Sequence, residues 1–322
     1  MSTVPDHLHP HPKTSGRSST HVRAGRRTLR SAALKEHLLA YSFLAPSLVL
    51  FAVFLFYPLL KSVYLSLHLT DPRGRIAAYA GLDNFTELFT SEKFYQSLKV
   101  TLSFTLLTVP TGIALALLLA ALSHNKLRGM KAFQFIFSLP VAISVGTGSV
   151  IWMMLFHPTL GTLNYALSLI GWAPVHWLTD PDWALYAVAL MTVWMNLGFT
   201  YIVLLSGLQG ISEEIYDSAK IDGSGPIRTF VLLTLPLLSP TLFFSGIVSV
   251  IGAFQSFGQF HILYPRGGPL GSTDVVVVNI YQEAFVNYRF GTGSAQALIL
   301  FAIILVLTFI QFRVVEKKVH YQ

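Results

Sequence analysis

Residues able to do covalent or redox chemistry are scarce in this chain. It has no cysteine, which removes disulfides, thiolate catalysis and Cys-based zinc sites together. His68, His157, His176 and His261 stand singly, with no i, i+4 pairing of the metal-binding kind. His7, His9 and His11 of "HLHPHP" could gather round a metal, but the prolines between them oppose a fixed ligand geometry, and a solvated leader is expected. Neither H-E-x-x-H nor G-x-S-x-G occurs. No Gly is followed by Lys anywhere, so there is no Walker A loop to cradle ATP phosphates. The expectation is a chain that is not an enzyme and holds no metal or cofactor of its own. An integral-membrane enzyme is the alternative of a different class, and it predicts turnover in the isolated chain.

What remains is the chemistry of hydrogen bonding. Asn196 sits in the middle of a long apolar run, and Gln255 and Gln259 lie four apart in another, which on one helix places them on one face. Amides in an apolar setting need partners. Either a hydroxyl-rich solute or a neighbouring helix could supply them. Phe254, Phe257 and Phe260 surround the glutamines, and aromatic faces can stack on the CH groups of a sugar. Asn196, Gln255, Gln259 and Phe260 are therefore the candidate solute-path residues. Gly146 and Gly148, with Ser144, Thr147 and Ser149, read instead as a helix-packing face.

The elements carrying these residues belong to a membrane. Of 322 residues, 53% are hydrophobic and 11% charged, against about 25% charged in soluble domains. Asp, Glu, Lys and Arg are missing from six long stretches, namely 37–60, 100–125, 132–179, 183–212, 229–265 and 290–312. Each exceeds the ~20 apolar residues that cross a ~30 Å hydrocarbon core as a helix. The third is too long for one helix, and His157-Pro158 with Gly161, Gly171 and Pro174 divides it into a span near 132–156 and a loop. Pro236 and Pro240 predict a kinked entry to the fifth span. The fold class is thus an all-α integral membrane protein of six transmembrane helices. The apolar stretch of the first span and the basic leader before it are both longer than a cleaved signal peptide is expected to have.

Charge sets the orientation. Of the 22 Lys and Arg residues, fifteen fall in the tail, in the loops after spans two and four, and after span six; seven fall on the other side. The positive-inside rule places both termini in the cytoplasm. Residues 1–37, rich in Ser, Thr, Pro, His and Arg, read as a disordered basic cytoplasmic tail, and 38–322 as the membrane domain. The net charge of +7 is explained by this loop asymmetry and gives no nucleic-acid face.

One cytoplasmic segment is unlike the rest. In 212–223, Ser212 is a plausible N-cap, Glu213 and Glu214 fall in the first turn, and Gly223 with Gly225-Pro226 stops the helix. Ile211, Ile215, Ala219 and Ile221 form a modest apolar stripe beside Tyr216. So short a helix needs a partner surface, and Ser218, Ala219 and Gly223 would allow close approach. By pattern alone, the surface could be another protein or the bilayer.

The stretch resembles the signature of permease subunits of ATP-binding-cassette importers: Glu-Ala-Ala, three residues, Gly, nine residues, Ile-x-Leu-Pro. Here Asp217, Ser218 and Ala219 take the first places, Gly223 follows at the required spacing, and Leu233, Thr234, Leu235 and Pro236 complete it. "GLDNFTELF" at 81–89, and "GGP" at 267–269 with "NIYQEAF" at 279–285, resemble loops of the carbohydrate-type permeases. "IDGSGPIR" and "QFRVVEKKV" resemble the glycerol-3-phosphate type within that group. The resemblance implies a helix that docks on an ATPase, with Glu213, Glu214, Tyr216, Asp217, Ser218, Ala219, Asp222 and Gly223 as the ATPase-coupling residues. It implies a second homologous permease, two ATP-binding subunits that hold the ATP, and an external solute-binding protein. The solute would be a sugar or a glycerol-3-phosphate-type compound, carried across a bacterial cell membrane. The spans contain no interior charged residue of the sort that relays protons and no evident inverted repeat. Both features disfavour the remaining alternative, an ion-coupled secondary transporter. They also leave no cation in the path for a phosphate, apart from Arg266 or Arg289 near its outer mouth.

Overall fold

The computed structural model describes residues 39–124 and 129–315. The tail 1–37 with His7, His9 and His11, the loop cations Lys126 and Arg128, and the terminal Lys317 and Lys318 lie outside the described residues. The chain divides into two compact units between Leu60 and Lys61. The described part of the first is the apolar length of one helix. The second contains the end of that helix and every later element.

In chain order the elements are α1 (Leu39–Ser66), a hairpin of β1 (His68–Thr70) and β2 (Ile76–Tyr79), α2 (Asp83–Thr90), α3 (Glu92–Ser123), α4 (Met130–Ser138), α5 (Val145–Leu155), α6 (Thr162–Leu169), α7 (Pro181–Gln209) and α8 (Glu213–Ile221). Then follow α9 (Pro226–Leu237), α10 (Ser239–Phe254), α11 (Gly258–Leu263), α12 (Val276–Val286) and α13 (Phe290–Val315). Five stretches are long and apolar enough to cross a membrane: α1, α3, α7, α10 with α11, and α13 to Arg313. Counting α4 and α5 as one broken span makes six.

That break corrects the expectation of a single helix near 132–156. The two halves meet at 105°. Pro140 has no N–H to donate to the carbonyl one turn back, and α4 passes into a 3₁₀ turn over Leu139–Ala142. Ile143 is extended, and Ser144 restarts the chain as α5 by accepting a hydrogen bond from the Thr147 amide. The bend seats the turn on α7 at Gly198, where a Cβ would lie 2.8 Å from the Val141 nitrogen. Gly148 packs likewise, its absent Cβ leaving room for Met195, whereas Gly146 has only a side-chain oxygen at 4.0 Å and takes no part in such a face. Between Pro236 and Pro240 the helix is interrupted at Leu238, which separates α9 from α10.

The region after the first span is organised by Asn84 of "GLDNFTELF". Its side chain is buried. The amide nitrogen donates to the Ser66 carbonyl at 2.8 Å and the His68 carbonyl at 3.2 Å, while its oxygen accepts from the Thr292 hydroxyl at 3.2 Å. One amide thus joins the end of α1, the hairpin, α2 and α13. Nearby, Arg289 bridges Glu87 of α2 and Glu283 of α12. We expect Asn84→Ala, which orphans buried carbonyls, to cost about 1–3 kcal/mol. Denaturant titration of the detergent-solubilised protein would register this as a lowered midpoint.

Candidate functional site

The acid-rich segment folds as its local signals require. Ser212 accepts a hydrogen bond from the Glu214 amide and caps α8. At the other end, the Ser224 amide donates to the Ala219 carbonyl (2.9 Å) and the Gly223 amide to the Lys220 carbonyl (3.0 Å), with Gly223 at φ +74°. This double closure is the Schellman arrangement, and it needs a residue at ease with positive φ. Pro226 then opens α9 in the first-turn position it favours.

One side of α8 is fixed to this chain. Ala219 is buried, and Ile215 and Tyr216 pack on the cluster built by Tyr201, Leu204, Leu208 and Leu238. Tyr216 also accepts a hydrogen bond from the Thr234 hydroxyl at 3.4 Å. The two halves of the signature, 217–223 and 233–236, are therefore in register with each other. Gly207 permits this, since a Cβ there would meet Leu238 at 2.7 Å and Thr241 at 2.6 Å. Ile221 departs from the expected stripe: it is 87% exposed.

The other side is open. Glu213, Glu214, Asp217, Ser218, Asp222 and Gly223 are all exposed. Lys220 pairs with Asp217 at 2.8 Å, and that hydrogen bond, reinforced by the same carboxylate's charge, holds Lys220 above the usual lysine range. An exposed i, i+3 pair of this kind adds little stability. Between α8 and the ends of α3 and α9 lies a cleft of about 580 Å³, its wall including His124, Tyr216, Asp217 and Thr229.

The four solute-path candidates separate. Gln255 and Gln259 do not share a helical face, because α10 ends at Phe254 and the chain is non-helical until Gly258. At that break Gly258 comes against Val145 of α5, where a Cβ would lie 2.8 Å from its methyl group. Gln255 is exposed. Gln259 is buried and donates to the Thr192 hydroxyl at 3.3 Å, so its partner is a neighbouring helix. Phe260 is wholly buried, edge-on to Phe104 with centroids 4.8 Å apart, and belongs to the core. Asn196 is exposed and lines a crevice with Thr108, Thr192, Thr200 and Ser249. The crevice volume is about 20 Å³, room for one water molecule and not for a solute.

The hydroxyls of that crevice were missed, although their signal is periodic. Thr192, Asn196 and Thr200 repeat every four residues on α7, as Ser97, Thr101 and Thr105 do on α3. Most donate to the carbonyl one turn back. Thr101 does more, accepting from the Val276 amide at 3.0 Å and so capping α12 from another helix. Among the described residues no group of three or more His, Asp or Glu side chains could hold a metal. Arg289, a candidate cation for a phosphate, is occupied by Glu87 and Glu283.

Residues 93–321 match the family described as "Binding-protein-dependent transport system inner membrane component". The chain belongs to that family. Its relatives include the sn-glycerol-3-phosphate transport system permease protein UgpA of Agrobacterium fabrum, 34% identical across 91% of this chain and 100% of that protein. The UgpA of Yersinia pestis is 35% identical, across 88% and 96%. Among solved structures, a bacterial ABC transporter that imports the acidic polysaccharide alginate superposes with a TM-score of 0.78 at 25% identity, covering 89% of this chain and 98% of that one. The MetNI methionine transporter, at 15% identity and TM-score 0.52 over 72% of this chain and 100% of its own, shares the fold. The protein is thus a multi-pass inner-membrane permease subunit of an ABC importer.

The geometry at Gly223 separates two costs of substitution. A Cβ there would meet nothing within 4 Å, so bulk causes no internal clash, and the cost is that of positive φ, about 1–2 kcal/mol for an ordinary residue. Gly223→Asn is expected to keep nearly the parent melting temperature in detergent, and Gly223→Val to lower it. Equal losses in both variants would show that volume rather than φ governs the position.

Proposed function

We propose that α8 is the coupling helix of this permease, gripped on its exposed face by an ATP-binding subunit. The observation that carries the proposal is the two-sidedness of α8. Ala219, Ile215 and Tyr216 anchor it to the ends of α7 and α10, while its acidic and small residues face outward. A push on the outer face is transmitted to the spans through packed side chains and the Tyr216–Thr234 bond, and not absorbed by a loose loop. Glu213, Glu214, Asp217, Ser218, Asp222 and Gly223 form the docking face in this account; Ala219 and Tyr216 act from beneath. The loop charge asymmetry supports placing α8 and both termini in the cytoplasm, with residues 1–37 as a basic tail there.

The assembly would contain a second, homologous permease, two ATP-binding subunits that hold the nucleotide, and an external solute-binding protein. Solute would pass between the two permeases along the uncharged wall of Asn196, Thr108, Thr192 and Ser249, the closed crevice widening as the helices move apart. The relatives' transport of sn-glycerol-3-phosphate supports a glycerol-phosphate or sugar-like solute. The neutral wall and the occupied Arg289 favour the hydroxylated part of such a molecule as what this chain senses. Charge for a phosphate would then come from the second permease or the binding protein.

The test is ATP hydrolysis by the complete transporter in nanodiscs, with binding protein loaded with glycerol-3-phosphate or with neutral sugars. We expect several-fold stimulation by one loaded binding protein, and its loss in Gly223→Pro with membrane insertion intact. Normal stimulation in that variant would sink the coupling role of α8.

A further inference from the structure

The segment between the broken span and α7, residues 156–180, carries no Asp, Glu, Lys or Arg before Asp180. It is nonetheless ordered around one buried amide. Asn164 donates to the Pro158 and Val175 carbonyls, both at 3.0 Å, and its oxygen accepts from the Val175 amide and the Trp177 indole. All four hydrogen-bonding positions of the side chain are used. The end of α6 is closed too. The Trp172 amide donates to the Leu167 carbonyl at 3.0 Å and the Gly171 amide to Ser168 at 3.1 Å, with Gly171 at φ +77°.

Around this framework the large exposed side chains are apolar, among uncharged polar ones such as Thr162 and Ser168. Leu160, Tyr165, Leu169, Ile170 and Trp172 are all exposed, Leu169 by 70% and Trp172 by 62%. The Trp177 indole, which Asn164 holds, leads from this segment into the first turns of α7. Trp177, Trp183 and Tyr186 form a chain of rings spaced 5.5 Å and 6.1 Å, and Trp183 and Tyr186 are exposed on the first turns of that span. Trp and Tyr concentrate where a spanning helix crosses the headgroup layer.

We infer that α6 and its flanking turns are immersed in the interfacial layer of the bilayer on the side where α7 begins, with Leu169, Ile170 and Trp172 among the acyl chains. Three observations select lipid as the occupant. The segment is uncharged, so a headgroup-depth position costs it no desolvated ion. Its helix end and the carbonyls of Pro158 and Val175 are bonded internally, a requirement in hydrocarbon and not in water. Through Asn164 and the Trp177 ring it is tied to the exposed aromatic first turns of a spanning helix. The segment would thereby fix the height at which the broken span re-enters α7. The inference rests on the membrane placement of α7 alone and not on the coupling role of α8 or the solute.

The absence of cysteine makes the test direct. Spin labels at Leu169→Cys, Ile170→Cys and, as an aqueous control, Thr179→Cys would be placed in the complete transporter in nanodiscs. Collision with oxygen and with a water-soluble nickel chelate is then measured. Lipid immersion predicts oxygen access with several-fold nickel protection at 169 and 170, unchanged by added binding protein. Nickel access like that at 179 overturns the inference in favour of water. Protection from both reagents overturns it in favour of the second permease, and protection appearing only with the binding protein assigns the patch to that partner. A label-free check uses brominated lipid: the quenching of tryptophan fluorescence should fall in Trp172→Phe, and undiminished quenching would contradict immersion.

Discussion

Where a span stops or breaks, one constraint governs: a backbone amide or carbonyl in the hydrocarbon layer has no water to bond. Continuous helices meet it without help. The places where helices stop must find substitutes, and those are where the informative side chains sit. Asn84 serves the turn after α1, Thr101 caps α12 from across the bundle, Ser144 restarts the broken span, and Asn164 holds the loop before α7. These residue types would be minor polar interruptions in a soluble protein. Here each fixes the path of a span.

The same constraint explains why the glycines divide into two kinds. Gly198, Gly207 and Gly258 stand where another element's atoms occupy the place of a Cβ; they bring helices close enough for the polar turns to be sealed. Gly223 and Gly171 stand in open space and supply a left-handed backbone at a helix end. The segment from Gly207 to Pro236 uses both. Gly207 lets α10 approach α7, so that Tyr216 and Thr234 can meet. Gly223 then turns the chain back toward the membrane.

Much of this was legible in the sequence because the signals are local. Charge-free runs located the spans, and Ser212, Glu213, Glu214, Gly223 and Pro226 located α8 to within two residues at its far end. What failed depended on tertiary packing. The bend at Pro140 and the break at Gln255–Phe257 both fall inside runs whose composition reads as continuous helix, and Gly198 and Gly258 mark them only once their neighbours are known. The path residues suffered for that reason: an i, i+4 argument for Gln255 and Gln259 holds only along an unbroken helix. Helix α6 went unread because no side chain caps its start at Gly161, and Asn164, which holds the segment, bonds to residues outside the helix.

The account's central claim is that α8 faces outward with one side and is locked with the other. Since the chain has no native cysteine, single cysteines at Ser218 and Ala219 can be compared by disulfide cross-linking to a cysteine on the ATP-binding subunit of the complete transporter. The account predicts rapid cross-linking from the exposed Ser218 and little or none from the buried Ala219. Cross-linking from neither position, in a complex that still hydrolyses ATP when stimulated, would mean that the force enters this subunit elsewhere.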